Sequence, residues 1–294
     1  MFNVSGREFA DWFAQAQQQA IAAGIDRAEL IWLLKAWTDL DRLGLQLGDY
    51  QQRERVHLVK PWEAIKSAWE RRVVERCPVQ YLVGQVSWRN FQLKVTPAVL
   101  IPRPETELII DILQSQGYAS HTTGHWVDLG TGSGAIALGL ADLFPHATIH
   151  AVDQSRDALA IAQENARLND FDDRLNFYQG HWWDPLTALQ GNIAGMVSNP
   201  PYISQPELAR LQPEVIDHEP LSALAGGEDG LDSVRQIIRR SPLYLQKGGL
   251  WLVELMAGQA SMVADLLDQQ GNYQTISIHK DLAGIDRFVA ATIA

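Results

Sequence analysis

From about Ser5 to Glu75 the apolar positions recur at helical spacing. Phe9, Trp12, Phe13 and Ala16 form one stripe and Leu30, Leu33, Leu34 and Trp37 another, the interval that lines one face of an α-helix. Asp26 predicts an N-cap ahead of the second stripe, and Gly44 and Gly48 predict breaks. Pro61 predicts the start of a further helix over Trp62 to Arg76, because proline is tolerated in a helix's first turn. Cys77-Pro78 ends it, and the period then changes. Val86, Trp88, Phe91, Leu93 and Val95 alternate around Arg89-Asn90, which predicts a β-hairpin within Gln85 to Thr96. An apolar helix is expected from Leu108 to Gln114, with Glu105 or Thr106 as its cap.

Beyond His125 short apolar runs alternate with helical stripes. Strands are expected near Trp126–Asp128, Thr148–Asp153, Asn176–Gln179, Gly195–Ser198, Leu250–Glu254, Thr275–His279 and Arg287–Ile293, and helices near 134–143, 158–168, 231–244 and 260–269. Such a βαβ series predicts a mostly parallel sheet with helices on both faces. The connection from Lys280 to Asp286 is too short for a crossover, so the last two strands are expected to be antiparallel. The expected organisation is a small helical bundle over residues 1–78, a β-hairpin linker over 79–98 and an α/β domain over 99–294.

Composition narrows the function classes. The chain has 294 residues with net charge −11. That acidic balance counts against a surface built to neutralise nucleic-acid phosphates. Cys77 is the single cysteine, which excludes an internal disulfide and suits a reducing compartment. The start of the chain lacks a basic segment followed by an apolar core, and the apolar run Leu30 to Leu34 is far too short to span a bilayer. A cytoplasmic protein with no membrane association is expected. Trp12, Trp32, Trp37, Trp62 and Trp69 crowd the first quarter, where core packing is the ordinary role and partner binding remains a second one. No spacing of Cys, His, Asp and Glu suggests a metal site, and no serine sits in a nucleophile elbow.

Asp128-Leu129-Gly130-Thr131-Gly132-Ser133-Gly134 closes one expected strand and opens a helix. Glycines let a backbone approach a ligand closely, and the helix start offers free N–H groups. Asp153 ends the next strand, where a carboxylate can accept from both ribose hydroxyls. Together these predict an adenosine-containing cofactor. Gly132 to Ala137 also satisfies a dinucleotide pattern, so NAD stays in play. Asp128 ahead of the loop faces a cationic ligand better than a pyrophosphate, which favours S-adenosylmethionine. Trp182, just past the third strand, is placed to cover an adenine; for Trp183 core packing is expected, and for His181 a solvent-facing position.

Asn199-Pro200-Pro201-Tyr202 follows the apolar run from Ile193. The prolines stop the strand and hold Asn199 extended at its C-terminal end, the end at which open α/β sheets bind ligands. Asn199 Oδ1 and the Pro200 carbonyl can accept the two hydrogens of a planar NH2 group while Tyr202 packs on its face. A glutamine amide and an adenine N6 both answer that description; a plain strand-ending turn is the bland reading.

These residues resemble the HemK/PrmC family of protein-(glutamine-N5) methyltransferases acting on peptide chain release factors. The likeness covers Pro78 to Gly84, Val99-Leu100-Ile101-Pro102-Arg103-Pro104-Glu105-Thr106-Glu107, the Gly130–Gly134 loop, Asn199 to Tyr202, Glu219 to Leu231 and Lys280 to Arg287. The chain departs at Trp88 and Asn90, where the family usually has Phe and Gly. The resemblance implies a seven-stranded Rossmann-like S-adenosylmethionine-dependent methyltransferase domain. It implies that Gly130, Thr131, Gly132, Ser133, Gly134, Asp153, Trp182 and Asn199 bind S-adenosyl-L-methionine, and that Asn199, Pro200, Pro201 and Tyr202 hold the acceptor. That acceptor would be the glutamine of the Gly-Gly-Gln tip of class-I release factors, with S-adenosyl-L-homocysteine as product. The helical domain would help grip the release factor, and a monomer is expected. An N6-adenine methyltransferase, a nicotinamide dehydrogenase and a non-catalytic cofactor-binding scaffold are the competing classes.

Overall fold

The computed structural model describes residues 2–115 and 123–294. The chain divides into two compact units, the first running up to Gly84 and also taking in Pro213–His218. Its helices are α1 (Gly6–Ala22), α2 (Arg27–Trp37), α3 (Arg42–Leu47), α4 (Trp62–Val74) and α5 (Val79–Val83). The two stripes read from the sequence face the core they share with Ile65 and Trp69 of α4, all of their residues buried except Trp12, which packs against it half-buried. Ser5, Asp26 and Asp41 cap α1, α2 and α3 by accepting from the N–H groups of Glu8, Ala28 and Gly44. Gly44, expected as a break, therefore lies inside α3, because its own N–H is the one capped. Gly48 ends that helix with a left-handed φ of 80°. All five tryptophans of this region belong to the core or pack against it.

The expectation that this region is wholly helical is corrected. Phe2–Ser5 (β1) and Arg55–Leu58 (β2) pair antiparallel, with Val4 opposite Val56. Each is four residues long, and only their pairing across some fifty residues of sequence makes them strands. Arg72 of α4 is buried, and its guanidinium bridges Glu29 of α2 and Glu214 at 2.8 and 3.0 Å. Glu214 lies in the excursion Pro213–His218.

The second unit begins with the predicted hairpin, β3 (Gln85–Trp88) and β4 (Phe91–Lys94). Arg89 takes a left-handed φ of 49° at its turn. The hairpin is pinned to the sheet unit: the Lys94 N–H donates to Asn165 Oδ1 at 2.6 Å, and the Arg89 guanidinium to Asp111 at 2.8 Å. Trp88 is fully buried and donates to the Arg103 carbonyl. Next come α6 (Leu108–Ser115), β5 (Thr123–Leu129), α7 (Ala135–Leu143), β6 (His146–Asp153), α8 (Arg156–Leu168), β7 (Leu175–Gln179) and β8 (Ile193–Ser198). The short helices α9 (Gln205–Leu208) and α10 (Pro213–Ile216) follow. Then come α11 (Asp232–Tyr244), β9 (Leu245–Glu254), α12 (Ala260–Gln270), β10 (Tyr273–Lys280) and β11 (Asp286–Ile293).

The sheet order is β10-β11-β9-β8-β5-β6-β7. Neighbours from β9 through to β7 are parallel, and β11 is antiparallel to both β9 and β10. Every residue of β8 is buried, as expected of a strand covered on both faces. Gly195 in β8 makes room for its cross-strand neighbour: a Cβ there would lie 2.3 Å from the Trp126 ring. Trp183 is fully buried and stacks on Tyr244 with centroids 4.7 Å apart, the core role expected of it. The chain runs outward in one direction from β5 to β6 and β7, then returns to β8 on the other side of β5. The two C-terminal strand ends at that reversal form a topological switch point.

Candidate active site

β5 and β8 lie side by side with Leu129 opposite Ser198, and the Ser198 hydroxyl donates to the Leu129 carbonyl at 2.6 Å. The glycine loop and the Asn-Pro-Pro-Tyr tetrad therefore leave the sheet next to each other. A cleft enclosing about 660 Å³, part of it open to solvent, lies over this point. Gly130, Gly132, Asp153, Trp182, Asn199 and Pro201 line it, with Ala98–Leu100 and Pro220 as further wall.

The loop is organised from beneath by Asp128. This residue is fully buried, and its Oδ2 accepts from the Thr131 hydroxyl at 2.6 Å and the Ala137 N–H at 3.1 Å. Burial pushes its carboxyl up to about 7 against those two donors. Asp128 Oδ1 has no partner among the described residues. The sequence argument that Asp128 faces the ligand is corrected: it does not line the cleft, and its visible work is to shape the loop. Thr131, Ser133 and Gly134 stand behind the cleft rather than in it. Thr131 is bound to Asp128, the Ser133 carbonyl accepts from Asn165, and Gly134 abuts Ala162.

Asp153 closes β6 and accepts from the Gly132 and Ser155 N–H groups, each at 2.9 Å. Burial raises its pKa while those backbone donors pull it down. A carboxylate has about four lone-pair positions, so Asp153 keeps acceptor capacity in the cleft it lines. Trp182 has a left-handed φ of 48°, and its ring crosses Gly130 so closely that a Cβ there would lie 3.2 Å away. His181 is exposed at the cleft mouth. A side-chain-free floor, an aromatic wall and a strand-end carboxylate fit the adenosine part of S-adenosylmethionine.

Around the tetrad the structure adds residues that sequence reasoning missed. Asn199 Nδ2 donates to Thr106 Oγ1 at 3.2 Å; Thr106, read from the sequence as a helix cap, is buried against the tetrad instead. Behind it lies Glu254, the last residue of β9 and 2% exposed. Burial pushes the Glu254 carboxyl up to about 7, and the Thr106 hydroxyl is foremost among the groups favouring its charged form. The one available signal was an acid closing an otherwise apolar run, Leu250-Trp251-Leu252-Val253-Glu254. Burial also holds the Tyr202 hydroxyl well above its ordinary range. Tyr202 is tied through its backbone. Its carbonyl accepts from Gln259 Nε2 at 3.0 Å, and Ile203 bridges Ala225 in parallel. This docks the Glu219 to Leu231 stretch on the tetrad. Glu219, buried at its start, accepts from Arg103 at 2.6 Å and from the Ile101 N–H at 3.3 Å.

Residues 104–228 match the Methyltransferase small domain family. The whole chain is similar to a release factor glutamine methyltransferase of Synechocystis sp., 64% identical over 98% of this chain and 97% of the relative. It is 46% identical to a release factor glutamine methyltransferase of Thermosynechococcus vestitus, over 98% of this chain and 99% of the relative. Among solved structures, the hMettl16 catalytic domain in complex with the MAT2A 3'UTR hairpin 6 covers 92% of both chains, with a TM-score of 0.56 at 16% identity. At that identity the likeness speaks for the fold alone.

Proposed function

The chain belongs to the family of release factor glutamine methyltransferases, and on that premise we propose how its residues carry the reaction. The enzyme methylates the side-chain amide nitrogen of a release-factor glutamine, with S-adenosyl-L-methionine as donor and S-adenosyl-L-homocysteine as product. The glutamine is read as that of the Gly-Gly-Gln motif in class-I release factors. When bound, S-adenosylmethionine supplies a sulfonium-activated methyl group for in-line displacement.

The observation that carries the reading is the placement of Asn199. It stands at the C-terminal end of β8 on the cleft wall, with Nδ2 engaged by Thr106, which leaves Oδ1 to accept. A primary amide nitrogen is a poor nucleophile because its lone pair is conjugated with the carbonyl. Asn199 Oδ1 and the Pro200 carbonyl take its two hydrogens and aim the nitrogen, while Pro201 and Tyr202 form the surface against which the amide plane lies. Positioning of this kind can supply up to ~7–11 kcal/mol. Gly130, Gly132, Asp153 and Trp182 hold the donor, with Thr131, Ser133 and Gly134 keeping the loop in shape from behind. No strong base is needed before transfer, and the proton leaves afterwards to water.

The adenine N6 alternative rests on the tetrad alone, whereas the full-length relatives are named for glutamine methylation. We read the helical unit as a grip on the release factor, and the enzyme as a cytoplasmic monomer that needs no nucleic acid. The net charge of −11 supports the last point. Among the described residues no helix is long and apolar enough to cross a membrane. The test is transfer of labelled methyl to a purified release factor, its Gly-Gly-Ala variant and a DNA duplex. Label on the wild-type factor only is expected; label on the DNA would overturn the acceptor assignment. Asn199→Ala should lower kcat on the order of 10²–10³-fold, and near-normal turnover would remove Asn199 from its role.

A further inference from the structure

A carboxamide can present either its oxygen or its nitrogen to a ligand, and the two flips are separated by a soft, roughly two-fold torsion. Only the flip with Oδ1 toward the acceptor serves an NH2 group. Something in the protein must therefore choose. Asn199 Nδ2 meets Thr106 Oγ1 at 3.2 Å. A hydroxyl can accept from an amide nitrogen or donate to an amide oxygen, so the choice passes to wherever the Thr106 hydrogen points.

Glu254 answers that question. It is buried with Oε2 unpartnered among the described residues. Burial pushes the Glu254 carboxyl up to about 7, and the Thr106 hydroxyl is first among the groups that favour its charged form, ahead of Arg287 and Arg103; in that form the carboxylate only accepts. With its hydrogen directed to Glu254, Thr106 has only lone pairs left for Asn199. We propose that Thr106, backed by Glu254, is a positioning pair that selects the productive flip of the Asn199 carboxamide. The inference rests on the reading of Asn199 as the residue that accepts from the glutamine NH2. Neither member touches the reacting atoms; both act through Asn199.

The test compares the full-length wild type with Thr106→Val, Thr106→Ser and Glu254→Gln in methyl transfer to a purified release factor. Thr106→Val keeps the volume and removes the hydroxyl. It should lower kcat by about 10–100-fold, with KM for the release factor and calorimetric S-adenosylmethionine affinity within about twofold of wild type. Thr106→Ser restores the hydroxyl and should recover kcat to within about threefold. Glu254→Gln, which can donate as well as accept, should fall between them. In an Asn199→Ala background Thr106→Val should cost nothing further, which a packing role would not produce. Turnover of Thr106→Val near wild type, or Thr106→Ser as slow as Thr106→Val, would overturn the proposal. A second arm needs no substrate. In protein labelled with 15N at asparagine, the Asn199 side-chain NH2 resonances should move in Thr106→Val and stay in place in Thr106→Ser. If the wild type transfers nothing to the release factor, the functional reading fails, and an Asn199 signal unmoved in Thr106→Val independently refutes the pair.

Discussion

Gly230→Ala is a change at a residue that does not itself line the cleft, yet it should disable transfer. Gly230 has a left-handed φ of 82°, and a Cβ there would lie 2.3 Å from the Tyr202 carbonyl oxygen and 2.5 Å from Gln259 Nε2. The glutamine amide is the tip of a flexible side chain and can swing away, giving up its 3.0 Å bond to that same carbonyl. The carbonyl cannot, because it is backbone of the tetrad. Ordinary contact begins near 3.4 Å, so Tyr202 must move by about 1 Å. The left-handed conformation itself costs roughly 1–2 kcal/mol for a residue with a Cβ, a loss the fold should survive. A displacement of about 1 Å at a positioning group costs on the order of 10²-fold in rate. Single-turnover transfer to the release factor should therefore slow about a hundredfold, with melting lowered by only a few degrees. Calorimetric affinity for S-adenosylmethionine should be unchanged, because Gly130, Gly132 and Asp153 sit on other strand ends. A variant that folds and transfers at more than a third of the wild-type rate would refute the claim that the 219–231 stretch sets the position of the tetrad.

Asp153→Ala should weaken S-adenosylmethionine binding by ~1.5–3 kcal/mol, the range for hydrogen bonds to a charged group, or about 10–150-fold in Kd by calorimetry. Part of that loss comes through Gly132, whose N–H the carboxylate holds; unchanged affinity would remove Asp153 from the site. His150 sets a stability slope. It is buried between His125 and Tyr178, and burial followed by the His125 charge lowers its pKa from the ordinary 6.5 to about 4. Between those values the unfolded chain binds a proton that the folded chain refuses, so stability is complete above pH 6.5 and is lost as pH falls toward 4. The contribution is up to about 3 kcal/mol. Asp128 and Glu254, both raised to about 7, act in the opposite sense, their stabilisation being lost as pH rises from about 4 to 7. The clean measurement is the difference in urea midpoint between wild type and His150→Gln, which should change over pH 6.5 to 4. Parallel curves would mean that His150 does not carry the slope.

Much of this protein was legible from local sequence because its causes are local. The seven strands of the main sheet follow from short apolar runs alternating with helical stripes, and the antiparallel last pair from the length of one loop. The Asp26 cap, the turn at Arg89-Asn90 and the glycine loop at a strand end each depend on residues a few positions apart. The tetrad announces itself because two prolines dictate their own backbone. The missed pieces are all non-local. The β1–β2 pair joins segments some fifty residues apart, and Thr106 reaches Asn199 across 93 residues of sequence. Glu254 gains its elevated pKa from burial at the end of β9, and Asp128 supports the loop from beneath instead of lining the cleft. A residue's type and neighbours tell what it can donate, accept or bury. Which atom it meets is decided by the order of strands in the sheet, because that order brings the ends of β5, β8 and β9 together.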